Sequence, residues 1–253
     1  MKKENLILWI ASFIITFLVV YLSNLFSSNY PISGTIGIEG QKVSYRFEKI
    51  HYGKEDVSVL IRSDLKDLSG KLFWKAETDS VWNSKDMKGD DLALNASFPS
   101  AKIETKTNYY VELSYKDKKL FVPDNQKVGI EFFAKIPAMV NVLQFLFLYL
   151  GLLLAVRTGL EYFNKQEKIK KFEIFIAIIF LTLTALVNPL YLTYKYGFIN
   201  KTVPSITRLF PAKGLLLTVL WIASIIITFN VKRYKIIPLI SAIITIIIFA
   251  FFS

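Results

Sequence analysis

The sequence predicts a membrane protein built from an all-α transmembrane part of five helices and an extracytoplasmic all-β sandwich of immunoglobulin-like type. The 253 residues are 53% hydrophobic, which leaves too little polar surface to cover a water-soluble protein. Most apolar residues fall in five long runs. Between the first and second runs, apolar residues instead alternate with polar ones at the period of two that marks strands with one buried face.

The five apolar runs predict five membrane-spanning helices. The first, 6–25, has 20 residues and no charge, and a helix of that length spans a hydrocarbon layer of about 30 Å. The others are 138–156, 172–194, 215–231 and 236–253. The chain is thereby divided into an N-terminal anchor (1–27), an extracytoplasmic β-sandwich (28–136) and a four-helix transmembrane domain (137–253).

The first run is predicted to be an uncleaved anchor, with a signal peptide as the alternative. Lys2 and Lys3 precede it, as they would in a signal peptide. Its apolar core, however, is longer than the roughly 7 to 15 residues usual for signal peptides, and no small-x-small cleavage site closes it.

The positions of the basic residues predict the orientation. With the N-terminus in the cytoplasm, the short cytoplasmic segments hold ten Lys and Arg residues and the short outside loop holds four. Because short cytoplasmic loops carry the excess of positive charge, this orientation is favoured. Residues 28–136 and the C-terminus are then extracytoplasmic, and an outside domain without cysteine in an Ile/Lys/Phe-rich chain indicates a bacterial cytoplasmic (inner) membrane.

Charge and cysteine content exclude several function classes. The net charge is +11, but residues 28–137 hold 17 basic and 16 acidic side chains. The excess lies beside the bilayer, so the predicted partners include membrane lipids and not nucleic acid. The absence of cysteine excludes disulfides, thiolate catalysis and cysteine-based metal sites, and the single histidine, His51, has no second histidine with which to share a metal. No cofactor or metal is predicted.

The alternation in 28–135 predicts about seven short strands, typical of an antiparallel sandwich. Tyr109, Val111 and Leu113 point one way in this pattern, and Tyr110 points the other way. The last strand is predicted at 127–133, and two tryptophans, Trp74 and Trp82, are interpreted as core or rim anchors. Three glycines, Gly34, Gly37 and Gly40, predict a flexible linker after the anchor.

None of the predicted crossings has an ionisable residue at its centre, which argues against a proton-coupled transporter and an intramembrane protease. Uncharged polarity is concentrated toward the outer side, at Asn141, Gln144 and Asn188. These amides predict hydrogen bonds between helices. Alternatively, they form the floor of a pocket for an anionic ligand or a polar head group, together with the basic loop residues Lys195, Lys201, Arg208 and Lys213.

The loop that carries these four basic residues, KYGFINKTVPSITRLFPAKG (195–214), has two interpretations. Its aromatic and basic side chains are typical of an interfacial elbow between two crossings. Alternatively, it is a docking surface for the β-domain or for an anionic ligand.

Two further features lie on the second predicted crossing. Gly151, Ala155 and Gly159 recur every fourth residue and predict a helix-packing face, within the protein or between copies. Arg157 and Glu161 are four residues apart where the helix leaves the membrane, and they predict an interfacial ion pair of small energetic value.

The segment LAVRTGLEYF (154–163), preceded by a β-domain and IPAMV, resembles a functionally uncharacterised family of bacterial inner-membrane proteins. The segments YKYGF and FPAKGLLL are similar to that family as well, and the resemblance covers about 119–221. It implies the same layout of one anchor, one extracytoplasmic β-domain and four C-terminal helices. The resemblance implies no activity. Before the fourth crossing the family has a polar run with acidic residues and asparagine, whereas this chain has only Phe210-Pro211-Ala212-Lys213.

These observations predict a non-enzymatic scaffold, assembly or sensing component of a bacterial envelope complex, with other envelope proteins or further copies of the chain as partners. The alternative is a transport or lipid-handling protein with a site at the outer leaflet. An enzyme is the least favoured class because no acid/base pair can be assigned.

Overall fold

A computed structural model describes residues 3–89, 92–116, 118–124, 126–164, 168–199, 204–232 and 234–251. The chain divides into two compact units. The helical unit comprises Met1–Ser28, Ile136–Tyr194 and Phe198–Ser253, and the β unit comprises Asn29–Lys135 together with Lys195–Gly197.

The helical unit contains seven α-helices in its described residues. They are α1 (Lys3–Leu25), α2 (Ala138–Gly159), α3 (Ile169–Thr182), α4 (Asn188–Lys195), α5 (Ile206–Leu209), α6 (Ala212–Asn230) and α7 (Ile236–Phe251). A 3₁₀ turn, Leu160–Phe163, extends α2, and a π-helical segment, Leu183–Val187, joins α3 to α4.

Four helical spans in the described chain are long and apolar enough to cross a membrane: Lys3–Leu25, Ala138–Phe163, Ile169–Lys195 and Ala212–Asn230. They identify the chain as a membrane protein and agree with four of the five predicted crossings. The fifth corresponds to α7, which is also apolar but has only 16 described residues.

The π-helical segment lies directly before Asn188-Pro189. Pro189 has no backbone N–H, so the carbonyl of Ala185 lacks the donor that a regular helix would supply four residues later. A widened π turn accommodates this interruption without ending the helix. The span therefore continues through α4, and Thr184 and Asn188 remain buried on its inner side.

Helix α2 is central to the helical unit, since it contacts α1, α3 and α7. Its buried Leu152 and Ala155 share a core with Phe180, Trp221 and Phe249. The indole N–H of Trp221 donates to Thr245 Oγ1 at 3.0 Å, so this fully buried ring leaves no donor unsatisfied. In contrast, α1 buries only Ser12 and Thr16 and presents apolar side chains around the rest of its surface.

The described β unit contains eleven strands, more than the seven predicted from the alternation. They are β1 (Ile32–Ile38), β2 (Gln41–Phe47), β3 (Ile50–Tyr52), β4 (Val57–Ser63), β5 (Ser69–Ala76), β6 (Asn83–Asp86), β7 (Lys88–Gly89), β8 (Ala93–Phe98), β9 (Lys106–Tyr115), β10 (Lys118–Val122) and β11 (Val128–Phe133). Strands β3, β6 and β7 have only two to four residues, too few to show an alternating pattern.

The strands form two sheets with one shared core. The first sheet has the order β1-β2-β4-β8-β7, and the second has the order β3-β11-β9-β5-β6, with β10 paired to β9. The core between them includes Phe47, Ile61 and Phe98 from the first sheet and Tyr109 and Ile130 from the second. All described pairings are antiparallel except β3 with β11.

The alternation predicted for β9 is confirmed: Tyr109, Val111 and Leu113 are buried, and Tyr110 lies on the outer face. The Tyr109 hydroxyl donates to the Glu48 carbonyl at 2.7 Å. Burial of this ring raises the pKa of the phenol well above its usual range.

The predicted glycine linker is wrong, because Gly34 and Gly37 belong to β1 and Gly40 lies in its hairpin turn. Ile38 pairs with Gln41 across the turn residues Glu39 and Gly40, whose φ angles are 48° and 83°. Positive φ at both central positions is the type I′ geometry that fits the twist of a hairpin. The glycines therefore serve a strand and its turn.

Candidate functional sites

A buried ion pair lies at the C-terminal end of α2. Arg157 Nη1 is 2.6 Å from Glu161 Oε1, and each side chain is only 1% exposed. Arg157 Nη2 also donates to Asn5 Oδ1 of α1. The expectation of a weak interfacial pair is corrected here, because α1 covers the guanidinium and removes it from solvent. Breaking a buried pair costs far more than breaking an exposed one.

Aromatic rings and backbone groups complete the surroundings of this pair. The rings of Trp9 and Phe172 have their centroids 5.3 and 5.7 Å from the Arg157 guanidinium carbon. Glu161 Oε2 accepts from Asn164 Nδ2 at 2.8 Å and from the backbone N–H of Lys168 at 3.4 Å. The pair therefore connects α1, the end of α2 and the start of α3.

Glu173 is a third buried charged residue of the helical unit, after Arg157 and Glu161, and is fully enclosed. Its Oε1 accepts from Ser224 Oγ at 2.6 Å and from Thr228 Oγ1 at 3.0 Å. Its Oε2 has no hydrogen-bond partner among the described residues. The sequence shows only that Glu173 lies at the start of a predicted crossing. Ser224 and Thr228 are four residues apart and so lie on one face of α6, which indicates a polar surface there that needs a polar partner.

The predicted amide Asn188 is packed between helices, where it is 3% exposed. A Cβ built on Gly214 of α6 would lie 2.7 Å from Asn188 Nδ2 and 2.9 Å from Thr184 Oγ1. Thr184 Oγ1 is in turn 2.9 Å from Thr218 Oγ1. Asn188 thus occupies the space that the missing side chain of Gly214 leaves open.

The other two amides lie in the first two turns of α2. Asn141 and Gln144 are both half-buried, and Gln144 Oε1 is a buried atom without a hydrogen-bond partner in the described chain. No described hydrogen bond joins either residue to Asn188. The head-group pocket therefore stays a prediction.

Three of the four basic loop residues are described, and each has its cation over a different aromatic ring. The distances are 4.2 Å from Lys195 Nζ to the Phe133 centroid, 5.8 Å from the Arg208 guanidinium carbon to Phe198 and 4.4 Å from Lys213 Nζ to Phe249. Lys201 lies outside the described residues. Aromatic partners of this kind are attracted to a cation in a partly desolvated environment.

The start of the loop, Lys195–Gly197, belongs to the β unit. The Ala134 N–H donates to the Lys195 carbonyl at 2.9 Å, and the rings of Tyr196 and Phe133 meet edge to face at 5.7 Å. Gly197 has a φ of 65° and lies against Ile103. These three residues pack on the β-sandwich, so the elbow interpretation does not describe the whole loop.

The small residues of α2 face neighbouring helices of the same chain. A Cβ on Gly151 would come within 2.6 Å of the Phe180 ring, and one on Gly159 would lie 2.6 Å from the Ala242 Cβ. Ala155 between them is fully buried. Of the two predicted roles, packing within the protein accounts for all three.

A cluster of half-buried and exposed aromatic and basic side chains lies on the outer face of the second sheet. We name it the Trp82 face; it consists of Phe73, Lys75, Trp82, Tyr110, Phe121 and Lys127. Phe73 and Tyr110 are paired across β5 and β9 and stack with centroids 5.0 Å apart. The Tyr110 ring also lies 5.1 Å from Trp82 and 6.0 Å from Phe121.

A shallow cavity of about 280 Å³ opens on this face. Its walls are Trp82, Tyr110, Phe121, Gln126 and Lys127. The predicted core or rim role suits Trp74, whose ring stacks on the buried Phe98 at 5.8 Å, but Trp82 is on the outer face. In the sequence, the alternating pattern of β9 places Tyr110 on the outer face. No local pattern indicates that Trp82 and Phe121 lie beside Tyr110 on that face.

His51 has a structural environment. Its Nε2 lies 2.8 Å from the Glu55 carbonyl oxygen, and its ring meets Phe132 edge to face at 5.8 Å. Among the residues that the structure describes, no three His, Cys, Asp or Glu side chains come together as a possible metal site.

No protein-family model matches the chain, and no curated protein matches it.

Proposed function

We propose that the protein is a non-catalytic scaffold, assembly or sensing component of a bacterial envelope complex, held in the cytoplasmic membrane by its helices. In this proposal, the N-terminus is cytoplasmic, and the β unit and the C-terminus are outside the cell membrane. The distribution of Lys and Arg between short loops supports this orientation. The two packed, largely antiparallel sheets support an immunoglobulin-like arrangement of the β unit.

The observation that carries the proposal is the Trp82 face. Phe121 is 46% exposed on it, and three further aromatic rings adjoin it within one face of a sheet. Phe121 is exposed and the three adjoining rings are half-buried, and a contiguous aromatic patch at the surface of a domain is typical of an interaction site.

Site-specific photo-crosslinking in intact cells tests the proposal. A photoreactive phenylalanine analogue replaces Phe121, and in a matched control it replaces Leu60, which is 40% exposed on β4 of the first sheet. We expect discrete adducts with envelope components from position 121 and none from position 60, because only the first position adjoins the aromatic cluster. Equal labelling, or none at either position, would contradict a binding role for this face.

Lipid handling is the second proposed function, supported by the buried and unpaired Gln144 Oε1. Mass spectrometry of lipid bound to the chain, purified from the membranes of the same cells, tests this function. A stoichiometric lipid that is lost from a Gln144→Leu variant would favour this function over a scaffold.

A further inference from the structure

The aromatic rings of the Trp82 face are held in a fixed arrangement by the second sheet. Phe73 and Tyr110 are directly opposite each other in the β5–β9 ladder, and their rings are nearly parallel, with an angle of 7°. Trp82 stands almost perpendicular to Tyr110, at 72°. A ligand that stacks on these rings therefore meets a surface that is already ordered, which reduces the entropic cost of binding.

Among the described residues, the two cations at this face have no acidic partner, in contrast to a neighbouring lysine. Lys127 Nζ and Lys75 Nζ lie 5.1 and 5.5 Å from the Trp82 centroid, and neither forms an ion pair with a described residue. Lys119, by comparison, is paired with Glu112 at 2.8 Å. Two positive charges thus converge on one half-buried ring, and this surplus favours an anionic ligand.

The size and chemistry of the cavity narrow the ligand class. Its volume of about 280 Å³ is just below the range of roughly 300 to 1,000 Å³ for small-molecule sites, which suits one or two rings of a longer chain. A sugar ring has an apolar C–H face for stacking and polar edges that Gln126 and the two lysines can reach.

We propose that the Trp82 face binds an anionic glycan, with sugar rings stacked on Trp82, Tyr110 and Phe121 and with carboxylate or phosphate groups paired to Lys75 and Lys127. This inference rests on the proposed function, for which it names the ligand. An envelope polysaccharide would then be the surface on which the β unit is retained.

Calorimetric titration of the full chain in lipid nanodiscs tests the proposal with four probes. Tetragalacturonate carries rings with carboxylates, and a phosphorylated mannose oligosaccharide carries rings with phosphates. Methyl-esterified tetragalacturonate has rings without charge, and tetraglutamate has charge without rings. We expect binding of one or both anionic sugars, weaker binding of the ester and none of tetraglutamate; whichever anionic sugar binds identifies the acidic group.

Substitutions assign the binding to this face. Trp82→Ala and, independently, Phe121→Ala should each weaken binding about tenfold or more, because each removes an aromatic ring on which a sugar ring stacks. Lys127→Gln should weaken binding about three- to tenfold and reduce its salt dependence. Tyr30→Ala and Lys42→Gln are matched controls, since both side chains are exposed outside this face, and they should leave binding unchanged.

Several results would overturn the inference. They are no binding of either anionic sugar, equal binding of tetraglutamate, or binding that survives both Trp82→Ala and Phe121→Ala. If the sugars fail while position 121 still crosslinks to an envelope protein in cells, the glycan proposal is wrong and the scaffold function stands.

Discussion

At the scale of single residues, the charged side chains at the end of α2 differ most from their prediction. The spacing of Arg157 and Glu161 correctly indicates a pair, but it carries no information on burial. Asn5 and Trp9 of α1, about 150 positions away in the chain, cover the guanidinium. A pair that would have been weak in water thereby becomes an enclosed junction of three helical segments.

Removing one partner of this pair should destabilise the helical unit. We expect Arg157→Met to lower the thermal unfolding midpoint in nanodiscs by roughly 6 to 12 °C, because Glu161 would remain buried without its partner at a cost of about 3 kcal/mol. The double variant Arg157→Met/Glu161→Leu should recover most of this loss, since no buried charge is then left unpaired.

The matched control for this prediction is Arg46→Met. Arg46 forms an ion pair of similar length with Glu48, 3.0 Å, but both side chains are about half exposed or more. Its loss should change the midpoint by no more than about 2 °C. If the two arginine substitutions lower the thermal midpoint equally, the pair formed by Arg157 is not buried.

At the scale of secondary-structure elements, small residues decide how closely helices approach. Gly159 lets α2 contact α7 at Ala242, and Gly214 lets α6 accommodate Asn188. The every-fourth-residue pattern on α2 predicts such a face but not its partners. Likewise, Pro189 predicts an interruption in the third crossing, and the structure resolves it as a π-helical segment that keeps the span continuous.

Gly159→Ala should force α2 and α7 apart, because the new Cβ would lie 2.6 Å from the Cβ of Ala242. Overpacking of this kind costs roughly 1 to 3 kcal/mol, and we expect a lower thermal midpoint in nanodiscs. The double variant Gly159→Ala/Ala242→Gly should be more stable than Gly159→Ala, because it removes the clash.

Gly37→Ala is the control for this pair of variants, since a Cβ there would meet nothing within 4 Å. Gly37→Ala should therefore not show the lower thermal midpoint that overpacking causes. If Gly159→Ala unfolds at the wild-type temperature, or if Ala242→Gly fails to improve it, the described contact between α2 and α7 is not present.

At the scale of the whole molecule, the chain has two units because its long apolar runs and its alternating polar and apolar segment are separate in the sequence. Long apolar runs can satisfy their backbone hydrogen bonds in lipid only as helices, and the near-neutral alternating segment can bury one face of each strand as a sandwich. The threading of these units through a membrane is a proposal based on the charges of the loops. The fifth crossing depends on α7, the shortest of the apolar spans.

Single-cysteine labelling tests the threading, because the chain has no cysteine of its own. An impermeant thiol reagent should label Lys66→Cys and Ser253→Cys in intact spheroplasts and should label Lys171→Cys only after lysis. Positions 66 and 171 are exposed in the structure, so failure to react reports the side of the membrane. Protection of position 253 until lysis would mean that α7 does not cross, whereas protection of position 66 would reverse the whole orientation.

The sequence by itself determined which segments are helical spans, which segment is β-rich and which face of β9 is buried. These properties follow from local composition and periodicity, which are set by residues close together in the chain. Only the tertiary structure decided that Glu173 meets Ser224 and Thr228, that Arg157 is enclosed by α1, and that Trp82 joins Tyr110 and Phe121 on an outer face. Such contacts depend on how distant segments pack, and no local pattern encodes the partner of a side chain.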